Sequence, residues 1–290
     1  MRRALAIVLC CQACATPAPS STTTDHAFEF VFDTPAAGTE DYVCAPVPVP
    51  VEDLFDPIVA ISWDAPAGAV ELHHATLYAT TNAATASRGA DCEAISTTAS
   101  VAHSIDVWVG GGALDLEPDV ALVVPTGTVG LLVQAHVLRT GDGAAGVARL
   151  HVTTSRSSPA HLAAWTGFGA PVPALRPHMT DTSNTTCTVS RDVHVVAAWP
   201  HMHRLGTSID LEIQHASATS TLVSVTPWSF ADQPTYTVDR DLSTGDSVTL
   251  HCVWNNDSDG YVFPGPLSSD EMCAAGLVAW PAPADWLECP

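Results

Sequence analysis

Val193-His194-Val195-Val196-Ala197-Ala198-Trp199-Pro200-His201-Met202-His203-Arg204-Leu205-Gly206 is a β-rich run that leads into two histidines spaced two apart. On a β-strand, residues i and i+2 point to the same face, roughly 6.6 Å apart along the chain. His201 and His203 can therefore meet on one metal ion. A polar strand face would give the same pair, and short motifs misfire often. A thioether from Met272, in Ser268-Ser269-Asp270-Glu271-Met272-Cys273, would complete a soft site. Two imidazoles and a thioether suit Cu(I) better than Zn²⁺, Mg²⁺ or Ca²⁺.

Outward from this stretch the chain repeats one pattern, short β-rich runs broken by turns. The runs are Ile58 to Trp63, Val120 to Val124, Val129 to Val137, Val147 to Thr153, Val193 to Ala198, Ile209 to Ile213 and Ser247 to Trp254. Between them stand Asp33-Thr34-Pro35, Gly110-Gly111-Gly112, Gly141-Asp142-Gly143 and Asp257-Ser258-Asp259-Gly260, which are turn signals. With 22 prolines there is little room for long helices. Many evenly spaced short strands indicate β-sandwiches, and 290 residues suggest two of them. The expected class is all-β: two tandem antiparallel, jelly-roll-like β-sandwiches facing across a cleft, one over 27–142 and one over 146–290. The joint falls at Gly141–Gly146, with Ser155–Pro159 as a second candidate.

Residues 1–15 read as an export signal, with Arg2 and Arg3, an apolar run Ala4 to Leu9, and Ala13-Cys14-Ala15 as a cleavage site. A lipid anchor on Cys14 is the alternative. Residues 16–26 are a Pro/Ser/Thr tether. No later stretch is apolar for long enough to span a membrane as a helix. Asp+Glu number 31 against ten Lys+Arg, all of them Arg, for a net charge of −21. Such a surface repels nucleic acid and anionic membranes. The lack of Lys alongside abundant Ala, Val, Thr and Asp has the look of a GC-rich bacterial genome. Beyond the signal remain Cys44, Cys92, Cys187, Cys252, Cys273 and Cys289. Six cysteines in an exported chain suggest three disulfides, with fifteen pairings open from the count alone.

The first half holds His73-His74 and His136. Adjacent strand residues face opposite ways, so on regular geometry one of His73 and His74 is buried and the other exposed. Both can reach one metal only where the backbone is irregular. His136, inside the apolar run Val133-Gln134-Ala135-His136-Val137, reads by itself as a hydrogen-bonded core histidine. His151, His161, His178, His215 and His251 have no spaced partner and read as structural or exposed.

Five segments in order resemble one family: Tyr42-Val43-Cys44, His73-His74, Gln134-Ala135-His136, His201-Met202-His203 with Leu205-Gly206, and Ser269-Asp270-Glu271-Met272-Cys273. The chain resembles the copper type II, ascorbate-dependent monooxygenases, which include the peptidylglycine-hydroxylating and dopamine-hydroxylating enzymes. The resemblance implies two copper ions on two β-sandwiches. His73, His74 and His136 would hold the electron-transfer copper. His201, His203 and Met272 would hold the copper that meets O₂ and substrate. Gln134 matches a residue near the first site and His194 one upstream of the second, neither as a ligand. It also implies the pairs Cys44–Cys92, Cys187–Cys289 and Cys252–Cys273, and ascorbate as reductant; a small-molecule substrate, a monomeric chain and, from the acidic charge, no nucleic-acid partner are expected.

The match departs where the family's peptide-hydroxylating members bind substrate. Their Arg two residues before the HxH pair, which helps hold a carboxylate, is Trp199 here. Their Asn and Tyr after the Met-Cys pair are Ala274 and Gly276. The copper machinery is thus expected without peptidylglycine recognition, and the substrate is expected to be neutral or cationic and partly aromatic. An exported copper carrier without turnover, and a disulfide-stapled interaction module with incidental histidines, are the competing readings.

Overall fold

The computed structural model describes residues 23–32, 39–50, 53–67, 70–83, 86–93, 101–109, 113–139, 146–157, 159–282 and 285–290. The export signal, the tether up to residue 22, the turns at 33–35 and 110–112, and residues 141–145 of the expected joint lie outside them. In chain order the elements are β1 (Thr23–Phe32), β2 (Glu40–Val47), β3 (Ile58–Ala67), β4 (Val70–Thr80), β5 (Ser87–Arg88), α1 (Ala90–Glu93), β6 (Val101–Val109), β7 (Ala113–Asp115), β8 (Val120–Leu122), β9 (Gly130–Arg139) and β10 (Gly146–Ser155). The C-terminal half adds β11 (His161–Gly169), β12 (Met179–Val189), β13 (Val193–Met202), β14 (Gly206–His215), β15 (Ala218–Val225), β16 (Tyr236–Leu242), β17 (Ser247–Asn256), β18 (Cys273–Trp280) and β19 (Leu287–Glu288).

The chain is all-β, as the alternation of apolar runs and turns implies. Three sheets form. A five-stranded sheet of order β5-β2-β9-β4-β6 covers the N-terminal half, and one of order β15-β14-β17-β12-β19 covers the C-terminal half. Both pack on a nine-stranded sheet of order β1-β10-β3-β8-β11-β18-β13-β16, with β7 on β3. That long sheet passes from one half to the other through a three-residue parallel pairing of β8 with β11. The two halves therefore share a sheet. β10 pairs with β1 and β3, so the strand after Gly141–Gly146 stays with the N-terminal half. β1 begins at Thr23, inside the expected tether, because the edge of β10 offers it a ten-residue ladder.

Each half has its own core. Ile58, Ile61, Leu77, Leu122 and Leu150 fill the first. Met202, Ile209, Leu250, Trp254 and Leu277 fill the second. Complete burial of a Leu, Ile or Met side chain contributes about 1.5–3 kcal/mol. The three disulfides are Cys44–Cys92, Cys187–Cys289 and Cys252–Cys273, the pairs implied by the family resemblance. Cys252 lies on β17 and Cys273 on β18, so this bridge ties the two sheets of the C-terminal half together beside Met272.

Candidate metal centre

The direction in which the HxH pair points is decided by one residue. On β13, Val193 and Val195 face the C-terminal core. A register shift against β18 follows, with Val195 opposite Ala279 and Ala197 opposite Val278, leaving Val196 unpaired. Such a bulge inverts the faces of everything beyond it. Ala198 and Met202 now face the C-terminal core, while Ala197 faces the other. His201 and His203 share the parity of Ala197. Without the bulge they would share the parity of Val193 and point into the C-terminal core.

β4 uses the same device. Against β9, Leu72 pairs with Val137 and His74 with His136, so His73 is the extra residue. This is the backbone irregularity that two adjacent histidines need in order to serve one site. His74 and His136 stand opposite each other in the ladder, and His73 joins them. The expectation from regular strand geometry, one ring in and one out, is thereby corrected.

The two groups meet. The His73 ring lies 5.1 Å from that of His136 and 5.1 Å from that of His74. It also lies 5.9 Å from His201 and 5.5 Å from His203. Among the described residues, His73, His74 and His136 bring one ring nitrogen each within 4.8 Å of one another, and so do His73, His201 and His203. Rings of the two halves are thus in contact, where an open cleft between two separate sites was expected. Phe230 stacks on His73 at 4.3 Å and meets His203 edge-on at 6.2 Å.

Nitrogen accounting points to a ligand. Nε2 of His73, Nδ1 of His74, Nδ1 of His136 and Nε2 of His203 are buried and have no hydrogen-bond partner. Native interiors seldom leave such groups unpaired. The opposite nitrogens of His136 and His203 are held instead, and so is one nitrogen of His201. His136 Nε2–H donates to Glu40 Oε2 at 2.7 Å. His201 Nδ1–H donates to Gln233 Oε1 at 2.8 Å. His203 Nδ1–H donates to the Asp270 carbonyl at 3.1 Å. Fixing one nitrogen as donor leaves the other with its lone pair free, as in metal sites. Tyr42 stacks on His136 at 4.4 Å.

Electrostatics agree. Burial, together with the neighbouring imidazoles, holds His73 and His74 far below the ordinary imidazole range. Burial brings His201 down to about 3, with His203 adding to the effect and the Gln233 bond opposing it. Burial likewise brings His203 down to about 4, against the Asp270 bond. All four rings are neutral at pH 7, the form that binds a metal. Burial raises the Glu40 carboxyl, but hydrogen bonds from His136 and Ser268 outweigh it and hold the group below its ordinary value.

Glu271 organises the turn after the HxH pair. Its Oε2 accepts the His203 N–H at 3.1 Å and the Trp254 Nε1–H at 2.9 Å, and its Oε1 accepts the Leu205 N–H at 2.6 Å. Burial nonetheless raises its carboxyl to about 7. Gly206 follows because a Cβ there would lie 2.7 Å from Trp228, whose Nε1–H donates to the His203 carbonyl.

Met272 is half-buried and directly precedes β18. Met202 pairs with Cys273, so His203 and Met272 are the next residues outward on the two chains. Gln134, on the face of His136, accepts from Tyr78 Oη–H and donates to the Cys92 carbonyl. His194 lies apart, held by Asp241 and Asp239. His151, His178 and His215 likewise pair with aspartates, and His161 stacks on Trp280. Trp199 stacks on His201 at 4.9 Å and packs against Trp165. The Trp165 indole covers Gly276, where a Cβ would lie 2.5 Å from its Nε1.

Sequence reasoning passed over Glu40, Gln233, Phe230 and Trp165, and gave Glu271 no role. A signal existed for two of them. Glu40 stands two before Tyr42, on the same strand face, and Glu271 adjoins Met272. Gln233 carries no local signal at all.

Residues 170–289 match the family described as copper type II ascorbate-dependent monooxygenase, C-terminal domain. No curated protein matches the chain. Similar solved structures include an allantoicase, 11% identical over 78% of this chain and 80% of that one, with a TM-score of 0.26. They also include the major capsid protein P2 from bacteriophage PM2, 12% identical over 91% and 98%, with a TM-score of 0.31. Likenesses of this size carry no argument about function.

Proposed function

We propose, for a chain whose residues 170–289 match the C-terminal domain of the copper type II ascorbate-dependent monooxygenases, that the five-histidine centre holds copper for the hydroxylation of a small organic substrate. The observation that carries this is the convergence of four buried, unpartnered ring nitrogens from both halves of the chain. An all-imidazole set, joined by a thioether, fits copper in both its oxidation states. His73, His74 and His136 would hold the electron-transfer ion. His201, His203 and Met272 would hold the ion at which O₂ and substrate meet.

Copper held there would supply one-electron chemistry with O₂, fed by a donor such as ascorbate, so that one oxygen atom enters an activated C–H bond and the other leaves as water. The protein's own part is positioning. Gln233 and the Asp270 carbonyl orient the rings of His201 and His203. Glu271 holds the backbone between them and Gly206. Burial keeps His73, His74, His201 and His203 neutral. His73 adjoins both groups, which shortens the route between them.

The substrate reading rests on Trp199 and Gly276. A buried indole stacked on His201 cannot clamp a carboxylate, and Trp165 occupies the space over Gly276. A glycine-extended peptide is therefore not the substrate. Three disulfides are consistent with export, and no helix among the described residues is long and apolar enough to cross a membrane. The same two tryptophans favour the second reading, a copper carrier without turnover, since they fill the substrate positions.

The test is copper titration followed by O₂ uptake with ascorbate. Two ions per chain are expected, with uptake stimulated by a neutral small molecule that gains one oxygen by mass spectrometry. Met272→Ala abolishes the uptake. Two ions without substrate-stimulated uptake establish the carrier, and no copper binding overturns both readings.

A further inference from the structure

We infer that Glu40 is a positioning residue that ties the two histidine groups into one unit, holding His136 directly and His203 through the segment 268–270. The inference rests on the reading of these histidines as metal-holding residues. Glu40 Oε2 accepts the His136 Nε2–H at 2.7 Å and the Ser268 N–H at 2.9 Å. Its Oε1 accepts the Ser268 Oγ–H at 3.3 Å. One side chain thus satisfies a ring in the N-terminal half and a loop 228 residues further along the chain. Two residues after Ser268, the Asp270 carbonyl accepts from His203 Nδ1, and the next residue, Glu271, holds the His203 and Leu205 amides.

A glutamate meets these demands best. A carboxylate is acceptor-only and can receive several donors at once. A glutamine can keep its one oxygen on both N–H donors and turn its NH₂ toward the Ser268 hydroxyl, but as a neutral amide it holds the His136 Nε2–H more weakly than a carboxylate does. An aspartate is one methylene too short to reach both. Tyr42, two residues on and on the same face, repeats the tie: its ring stacks on His136 and its Oη–H donates to the Pro266 carbonyl at 3.0 Å. The edge of β2 therefore holds His136 on one side and residues 266–268 on the other. Because such coupling is reciprocal, a disturbance at Glu40 reaches both groups.

The test is Glu40→Gln in the full chain, with Glu40→Asp as the variant that retains the charge. In the metal-free protein, imidazole ¹⁵N spectra should place the His136 proton on Nε2. In Glu40→Gln the His136 tautomers mix and the His203 resonances shift as well. In stepwise copper titration, Glu40→Gln weakens binding about tenfold to a hundredfold at the His73–His74–His136 group. It also changes the Cu(II) paramagnetic spectrum of the His201–His203 group. Glu40→Asp, losing one of its two partners, falls between. Unaltered affinities and spectra overturn the inference. So does a change confined to His136, or a loss of urea stability without change at either group. Wild-type protein that takes up no copper overturns the reading of the centre instead, and the metal-free spectra then decide the role of Glu40 alone.

Discussion

Glu271→Ala is expected to be among the most damaging single substitutions at the centre, although Glu271 is not a ligand. It removes the acceptor for three donors: the His203 and Leu205 amides and the indole N–H of the fully buried Trp254. Each buried donor left unpaired costs about 1–3 kcal/mol, so the total is about 3 kcal/mol at the least. Glu271→Gln keeps one acceptor oxygen but turns an NH₂ toward a remaining donor, and costs about 1–3 kcal/mol. A pH signature separates this from ordinary packing loss. Glu271 is raised to about 7 from 4.5. Between those values the native state holds the proton more tightly than the unfolded chain, so stability falls as pH rises, by up to about 1.4 kcal/mol per unit. His201 and His203 are lowered to about 3 and about 4 from 6.5. They act oppositely, since the unfolded chain binds their protons more tightly and stability falls as pH drops below 6.5. In the metal-free wild type the Glu271 slope offsets part of the histidine slope between pH 4.5 and 6.5. In Glu271→Gln that offset vanishes, and stability climbs more steeply with pH. Urea denaturation at a series of pH values, with constant m, measures both effects. A Glu271→Ala cost below about 1 kcal/mol, or a Glu271→Gln pH profile parallel to the wild type, refutes this account of the turn.

Gly276→Ala would set a Cβ 2.5 Å from Trp165 Nε1 and 2.8 Å from its Cε2, so the indole must move. A loss of about 1–3 kcal/mol is expected, with altered near-UV circular dichroism, and an unchanged spectrum would show that Trp165 does not cover Gly276. Replacing Cys252 and Cys273 together by Ala opens a bridge of sequence separation 21 and should cost about 3 kcal/mol. Weaker copper binding at the His201–His203 group is expected alongside, because Cys273 adjoins Met272, and unfolding that matches the wild type under oxidising conditions would count against it.

How much was legible divides along physical lines. The strands were, because an apolar run such as Val129 to Val137 suits a strand buried on both faces, and an alternating one such as Ser247 to Trp254 suits a strand buried on one face. The donor types were, because two histidines in HxH and a distant Met-Cys pair belong to a recognisable order of motifs. The cysteine pairing followed only from the family resemblance, since the count of six leaves fifteen pairings open. Glu40 and Ser268 could not be joined from sequence, because 228 residues of chain separate them and neither residue type demands the other.

The sequence by itself determined the class of fold and supplied the candidate imidazole donors, while the reading of Trp199 came from the family resemblance. Only the tertiary structure decided which way the donors face and that they meet. A strand's side chains alternate with period two, so a single unpaired residue inverts every position beyond it. Val196 and His73 are those residues, and no local propensity marks them as such. Their placement follows from register against β18 and β9, which exists only once the sheets have formed.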